Sequence, residues 1–393
     1  MREPNFARLC SLNAGIQLVW GAVLGVSLQA RTIALSSPSE SIARYSALAA
    51  VGALVATIVQ LFAGRLSDRT RARGSSRAAY HTIGVAIAIP ALGTFFLAPS
   101  FVALAIAFVA LQCGVNVVMG AYQAIIPDYV PAPRRGNASA WMSAFQSAGN
   151  AAGLLVAGLV RDGRIVATAL AVPFVITYAI ATGHARTLMP LPLEETADPP
   201  RARGVLGALM LSRGLVNVGF FVLLDYLLFF VRDSLHVAAA RVELTTAFVF
   251  LTFTLAAIGG AIGAARPADR SDKRLVASVA VGIVAIALAG LALATSVPMA
   301  FAYACVAGFG WGAFVTADWA LATAVLPARD MATAMGIWNV ATTLPQVVAP
   351  LIAGPLVVAA NATSAGAGPR SAIAAAIVAF VLGGVAIWRL PRV

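Results

Sequence analysis

The sequence predicts an all-α membrane protein in which twelve transmembrane helices form two pseudo-symmetric six-helix bundles. Of its 393 residues, 60% are hydrophobic and only 11% are charged, and the mean hydropathy is +0.89. Soluble domains are about half apolar and about a quarter charged, whereas disordered chains combine low hydrophobicity with high charge. Both classes are therefore excluded. The apolar residues also fall in runs of about 20, the helix length that crosses about 30 Å of hydrocarbon.

Charged residues and prolines divide the chain into twelve apolar runs, which we interpret as the helices in order. Hydrophobicity on all sides indicates helices, because membrane strands are about ten residues long and alternate in polarity. The first run is too long for the apolar core of a typical signal peptide, and we expect it to be retained as a helix. The predicted spans are residues 9–30, 43–65, 79–97, 100–126, 137–160, 165–183, 205–231, 243–265, 275–294, 298–326, 331–358 and 371–388.

The net charge of +12 would suggest a nucleic-acid partner in a soluble protein. In a membrane protein, basic residues collect in cytoplasmic loops because they resist translocation. With the N-terminus placed inside, 19 basic residues fall on the cytoplasmic side, seven fall outside and Arg213 lies within a span. The bias predicts that both termini are in the cytoplasm. We expect a multi-pass protein of the bacterial inner membrane with no nucleic-acid partner.

An internal repeat divides the spans six and six. Shifting the chain by 196 residues superposes Gly64 on Gly260, Gly114 on Gly310, Pro131 on Pro327, Ala138 on Ala334, Asn150 on Gln346 and Gly158 on Gly354. A single register kept through several helices indicates duplication of a six-helix unit. We therefore predict an N-terminal bundle at 1–185, a proline-rich cytoplasmic linker at 186–204 and a C-terminal bundle at 205–393.

The loop after the second span carries a recognisable motif. Gly64 is followed four residues later by Asp68, and then by Arg69, Arg73 and Gly74. Glycine permits close helix packing, and an aspartate at a helix end can pair with a neighbouring arginine to latch a cytoplasmic gate in one state. The pattern resembles the signature of the major facilitator superfamily, which implies a transporter of twelve helices. The alternative is a basic loop that only sets topology.

A second resemblance is narrower and covers about a quarter of the chain. Residues 126–136, 318–327 and 336–346 are similar to the branch that contains glycoside and sucrose symporters. This resemblance implies cation-coupled transport of a sugar. The sequence departs from the branch in the fourth span, where sucrose carriers use a charged residue and this chain has Gln112 and Asn116.

Three charged residues lie within predicted spans, where burial of one charge costs at least about 2.5–3.5 kcal/mol. Arg213 and Asp225 are in the seventh span and Asp318 is in the tenth. Arg213 and Asp318 lie at a similar predicted depth in the membrane, so they can pair. Arg213 and Asp225 are about 18 Å apart along the same helix and cannot pair directly. We expect these three residues to carry proton coupling, and the alternative for each is a structural role.

Uncharged polar residues in the spans form the candidate substrate site. Amides four residues apart share a helix face and suit ligands rich in hydroxyl groups, while tryptophan can stack on a sugar or a drug. The alternative is hydrogen bonding between helices. The candidates are Gln17, Gln112, Asn116, Gln146, Asn150, Asn217, Trp311, Asn339, Thr342 and Gln346.

These observations predict a secondary active transporter, not an enzyme, that moves a small polar solute by alternating access and proton coupling. We expect a monomer in the lipid bilayer that needs no metal or cofactor, since the sequence contains neither a phosphate-binding loop with lysine nor metal-ligand spacing. One alternative is a proton-antiport exporter of amphipathic compounds. The other is a sensor on the same fold that transports nothing.

Overall fold

The computed structural model describes residues 3–131, 134–191, 203–325, 331–364, 366–390 and 392. Within these ranges the chain folds into twelve long helices and one short helix, Ile125–Tyr129, and contains no strands. The long helices are α1 Phe6–Ala34, α2 Ser41–Ala72, α3 Ala78–Leu97, α4 Phe101–Tyr122, α5 Arg135–Leu159, α6 Gly163–Arg186, α7 Arg203–Phe229, α8 Ala239–Arg270, α9 Lys273–Leu293, α10 Val297–Val325, α11 Met331–Thr363 and α12 Ala367–Ile387.

Eleven helices of the described chain are long and apolar enough to cross a membrane. The remaining long helix is α5, which lies where the sequence predicts the fifth span. This helix alternates small residues with polar ones, among them Ser143, Gln146, Ser147 and Asn150. The all-helical membrane fold predicted from composition is confirmed.

Several helices are longer than the apolar runs that predict them. Helix α2 continues to Ala72 and α8 to Arg270, beyond the predicted ends at 65 and 265. Charge ends an apolar run but leaves backbone hydrogen bonding intact, so a helix can continue past the hydrocarbon into water. Helix α1 also contains a π-helical turn, at Val23–Ser27, and α7 continues into one at Phe230–Ser234; hydropathy reveals neither turn.

The described chain divides into two compact units, residues 1–194 and 195–393. In the first unit α1 packs on α5 and α6, and α4 packs on α2 and α3. In the second unit α7 packs on α11 and α12, and α10 packs on α8 and α9. Every one of these pairs in the first unit has its counterpart six helices later, which is the arrangement expected of a duplicated bundle.

Close packing of α8 on α10 depends on glycine. A Cβ atom added to Gly260 would collide with the carbonyl oxygen of Phe309, and one added to Gly312 would collide with that of Ala257. The two helix backbones therefore touch directly, as small residues allow in membrane bundles.

Adjacent glycines in α8 provide a matched test of this packing. We expect Gly260→Ala to destabilise the protein by about 1–3 kcal/mol, because the new methyl group must push the α10 backbone away. Gly259→Ala should be neutral or slightly stabilising, since no atom lies within 4 Å of its added Cβ and alanine favours helix more than glycine. Thermal unfolding in detergent measures both, and equal midpoints would contradict the packing.

Candidate functional site

The two deepest charges of the C-terminal unit are in contact. The guanidinium Nη1 of Arg213 on α7 donates a hydrogen bond to carboxylate Oδ2 of Asp318 on α10. Arg213 is 9% exposed and Asp318 is 2% exposed. A buried ion pair between two membrane helices is strongly held, because either partner alone would be an uncompensated charge.

Arg213 also binds a third helix. Its Nε donates to Thr342 Oγ1 of α11 at 3.1 Å, so one guanidinium connects α7, α10 and α11. Two predicted substrate residues each donate a hydrogen bond from a side-chain amide nitrogen to a backbone carbonyl near this cluster. Asn217 Nδ2 donates to the Arg213 carbonyl at 2.9 Å, and Gln346 Nε2 donates to the Thr342 carbonyl at 3.4 Å.

The other C-terminal candidates lie apart from this cluster. Asp225 is half-buried on α7, about 18 Å along the helix from Arg213, and it interacts with other residues of the protein. Asn339 lies on α11, but its side chain is outside the described part of the chain.

Trp311 belongs to an aromatic cluster of the C-terminal unit. Its ring stacks on Phe220 with a centroid separation of 4.3 Å and an angle of 12°, and it meets Phe380 edge-on. One face of the indole that we expected to stack on a ligand is therefore covered by protein. Beyond Phe220 lies an almost wholly apolar void of about 20 Å³, lined by residues that include Leu224, Phe253 and Ala307.

The amides of the N-terminal unit fall into two classes. Gln112 and Asn116 are buried on α4 and are joined by a hydrogen bond, with Asn116 Nδ2 donating to Gln112 Oε1 at 3.0 Å. Gln17 and Asn150 are half-buried and Gln146 is exposed. Within the described residues, no protein group forms a hydrogen bond with these last three side chains. They are the amides that remain available to a ligand.

A buried ion network lies at the predicted cytoplasmic end of the N-terminal unit. Arg77, which precedes α3, donates to Asp128 Oδ2 at 2.7 Å and to Asp68 Oδ1 at 2.6 Å. Asp128 is 8% exposed and Asp68 is 67% exposed. Arg71 approaches Asp128 at 3.9 Å and donates to the Leu191 carbonyl at 2.5 Å.

This network keeps Arg77 charged. Burial lowers the pKa of its guanidinium, but hydrogen bonds with Asp128 and Asp68 and the charges of both carboxylates raise it by more. The resulting pKa is above the ordinary arginine value. A buried cation held by two acids joins the ends of α2, α3 and α4.

The predicted latch residues are only partly in the network. Asp68 takes part, whereas Arg69 and Arg73 are exposed. Gly74 has φ of 78°, a left-handed conformation that ends α2 and suits glycine. A Cβ added to Gly64 would make only an ordinary 3.5 Å contact with the Gly120 carbonyl.

Sequence reasoning missed Arg71, Arg77 and Asp128 as members of the network. In the sequence the two arginines belong to a basic segment, and membrane topology alone can explain why that segment is basic. A signal was nevertheless present, because Asp128 follows the fourth predicted span on the side of the membrane where the basic residues collect, and an opposite charge nearby favours the ionised form of an acid.

The second copy of the loop is built differently. Asp272 precedes α9 and accepts from the backbone nitrogen of Arg274 at 3.0 Å. Arg274 donates to the Leu390 carbonyl at 3.0 Å, and its guanidinium carbon lies 5.2 Å from the centre of the Trp388 ring. Hydrogen bonds from Arg274 hold the pKa of Asp272 below its ordinary value. The charges here fasten the end of α12 to the start of α9.

Comparison with known proteins gives a consistent result. The family model described as Major Facilitator Superfamily matches residues 12–350. A bacterial homologue of the human lysosomal transporter Spinster, inward-facing and occupied, is 18% identical with a TM-score of 0.75, covering 98% of this chain and 94% of that one. The nucleoside transporter NupG is 12% identical with a TM-score of 0.72, covering 98% and 99%. A bacterial metal transporter is 12% identical with a TM-score of 0.61, covering 99% of each chain. No curated protein matches.

Proposed function

Because the chain belongs to the major facilitator superfamily, we propose that it is a proton-coupled secondary transporter of a small polar solute, such as a sugar or glycoside. It works by alternating access as a monomer in a bacterial inner membrane, with both termini in the cytoplasm. The charge bias of the loops supports this orientation.

The Arg213–Asp318 pair is the observation that carries the proposal. A proton that neutralises Asp318 removes the attraction between the two side chains while Arg213 keeps its bond to Thr342. The helix contacts of α7, α10 and α11 then differ between the protonated and ionised forms. A difference of this kind is what lets proton binding shift a conformational equilibrium. Asp225 lies outside the cluster, and we assign it the smaller contribution to proton coupling.

The polar residues of the spans support a solute rich in hydroxyl groups. The amides of Gln17, Gln146 and Asn150 can each donate and accept, which matches hydroxyl groups. The resemblance to glycoside and sucrose carriers points to the same class of substrate. The nucleoside transporter NupG, which shares the fold, carries a solute of related chemistry.

A proton-antiport exporter of amphipathic compounds is the second candidate, and the aromatic cluster favours it. Phe220 and Phe253 line an apolar void, and Trp311 stacks on Phe220. An exporter would accept compounds with aromatic or aliphatic groups at this cluster, and its proton release would follow addition of a drug instead of a sugar.

Proteoliposomes containing a trapped pH dye test the proposal. We expect an external sugar to drive protons inward with the native protein, and Asp318→Asn to abolish this movement. Asp272→Asn is the matched control, since it makes the same chemical change outside the spans and should leave coupling intact. Asp225→Asn tests the lesser site.

Two results would overturn the proposal. The first is sugar-driven proton movement that persists in Asp318→Asn. The second is a native protein that responds to cationic drugs with proton release and to none of a panel of sugars, which would establish the exporter instead.

A further inference from the structure

The register of the internal repeat gives the Arg213 cluster a counterpart in the N-terminal unit. A shift of 196 residues superposes Arg213 on Gln17, Asp318 on Tyr122 and Thr342 on Gln146. Each residue lies on the corresponding helix, because α7, α10 and α11 repeat α1, α4 and α5. The N-terminal unit therefore carries an uncharged copy of the three residues.

The packing of α1 on α5 places Gln17 and Gln146 at the same level. Asn13 Nδ2 donates to the Met142 carbonyl at 2.9 Å, and the backbone of Gly21 lies directly against that of Asn150. Both pairs are 129 residues apart in sequence, as are Gln17 and Gln146. The two glutamines thus sit one turn, about 6 Å, from each contact.

The C-terminal unit shows that side chains at this level can meet. Arg213 and Thr342 are also 129 residues apart, and they are joined by a 3.1 Å hydrogen bond. The third counterpart, Tyr122, is buried and donates its hydroxyl proton to the Leu9 carbonyl at 3.1 Å. Tyr122 is thus occupied by protein, while the two glutamine amides are not bonded to any described residue.

The two glutamines lie on stretches of α1 and α5 that carry no charged residue. The sequence from 9 to 30 and that from 137 to 160 lack Asp, Glu, Lys and Arg altogether. An ion bound beside Gln17 and Gln146 would find no countercharge on either stretch to replace the hydration that it gives up, which is costly. An uncharged group with both donors and acceptors can instead be fully satisfied by two amides.

We infer that Gln17 and Gln146 determine specificity by binding an uncharged group of the substrate that offers adjacent donors and acceptors, such as a pair of neighbouring hydroxyls. This inference rests on the proposed transport function and narrows its substrate class to neutral solutes. The two units then have different roles, since Gln17 and Gln146 of the N-terminal unit recognise the solute and the Arg213–Asp318 pair of the C-terminal unit responds to the proton.

Neutral solutes rich in hydroxyl groups and charged derivatives of glucose test the inference. Glucose, methyl glucoside, sucrose and uridine serve as neutral probes, while glucuronate and glucosamine serve as charged comparators. Binding to the purified full chain is measured by thermal shift, which requires no proton gradient. We expect a neutral probe to bind more tightly than either charged sugar. Gln17→Leu and Gln146→Leu should each weaken that binding about tenfold, the effect of about one lost hydrogen bond to the ligand.

Gln123→Leu is the matched control, because Gln123 is an exposed glutamine beyond the end of α4 and should bind the probe as the native protein does. Unchanged affinity in both glutamine variants would overturn the inference. So would tighter binding of a charged sugar, or stabilisation by none of the neutral probes. Because binding is read without proton movement, a failure here is distinct from persistent coupling in Asp318→Asn, which would overturn the proposed function alone.

Discussion

Replacing Arg213 with glutamine is expected to destabilise the protein by about 3–5 kcal/mol, the usual cost of leaving one partner of a buried ion pair without the other. Asp318 is 2% exposed, so its carboxylate would have neither water nor a countercharge. The loss of stability is measured by thermal unfolding in detergent, with tryptophan fluorescence as the signal. Lowering the pH should restore part of the stability of Arg213→Gln, since a protonated Asp318 needs no countercharge.

The double variant Arg213→Gln/Asp318→Asn separates structural from functional roles. Removing both charges leaves two amides that can hydrogen-bond to each other, so the double variant avoids the cost of one unpaired buried charge. We expect the double variant to recover most of the stability lost in Arg213→Gln while driving no protons. Additive losses from the two single variants would show that the side chains are not energetically coupled.

The two acids that hold Arg77 are expected to differ greatly in their importance. Asp128→Asn removes a buried charge that faces two arginines and should cost about 3–5 kcal/mol. Asp68→Asn removes a carboxylate that is 67% exposed, where an ion pair is worth about 0.2–1 kcal/mol. Unfolding midpoints of the two variants compare the same chemical change on the same arginine. A larger loss in Asp68→Asn would contradict the assignment of Asp128 as the stronger partner.

The helices could be predicted from the sequence because each apolar run must satisfy its backbone inside itself once it enters hydrocarbon. Their ends could not, since hydropathy detects where lipid ends and not where backbone hydrogen bonding stops. Helix α2 is the clearest case, because Arg65 ends the apolar run and the helix continues through Arg69 to Ala72. The π-helical turns of α1 and α7 depend on local packing and leave no hydropathy signal.

The charged residues of the candidate site could be predicted from the sequence, because burying a charge in a membrane span is costly. Arg213 and Asp318 stand out in sequence because a charge in a membrane span needs a partner, and the structure brings them together. Amides give no such signal, since spacing identifies a helix face but not what the face touches. Gln112 and Gln146 therefore look alike in sequence, although the side chain of Gln112 accepts a hydrogen bond within α4 and that of Gln146 bonds to no described residue. The void behind Phe220 depends on side-chain packing of several helices and is equally invisible to periodicity.

The double attachment of Arg213 has a mechanical consequence. Two nitrogens of one rigid, planar group bind α10 and α11, so neither helix can slide along α7 without breaking a bond to the same side chain. While Asp318 is ionised, the guanidinium holds α7, α10 and α11 in a fixed position along one another. Under the proposed coupling, neutralisation of Asp318 would release α10 at this junction, so no relay through intervening residues would be needed to link proton binding to the helix contacts.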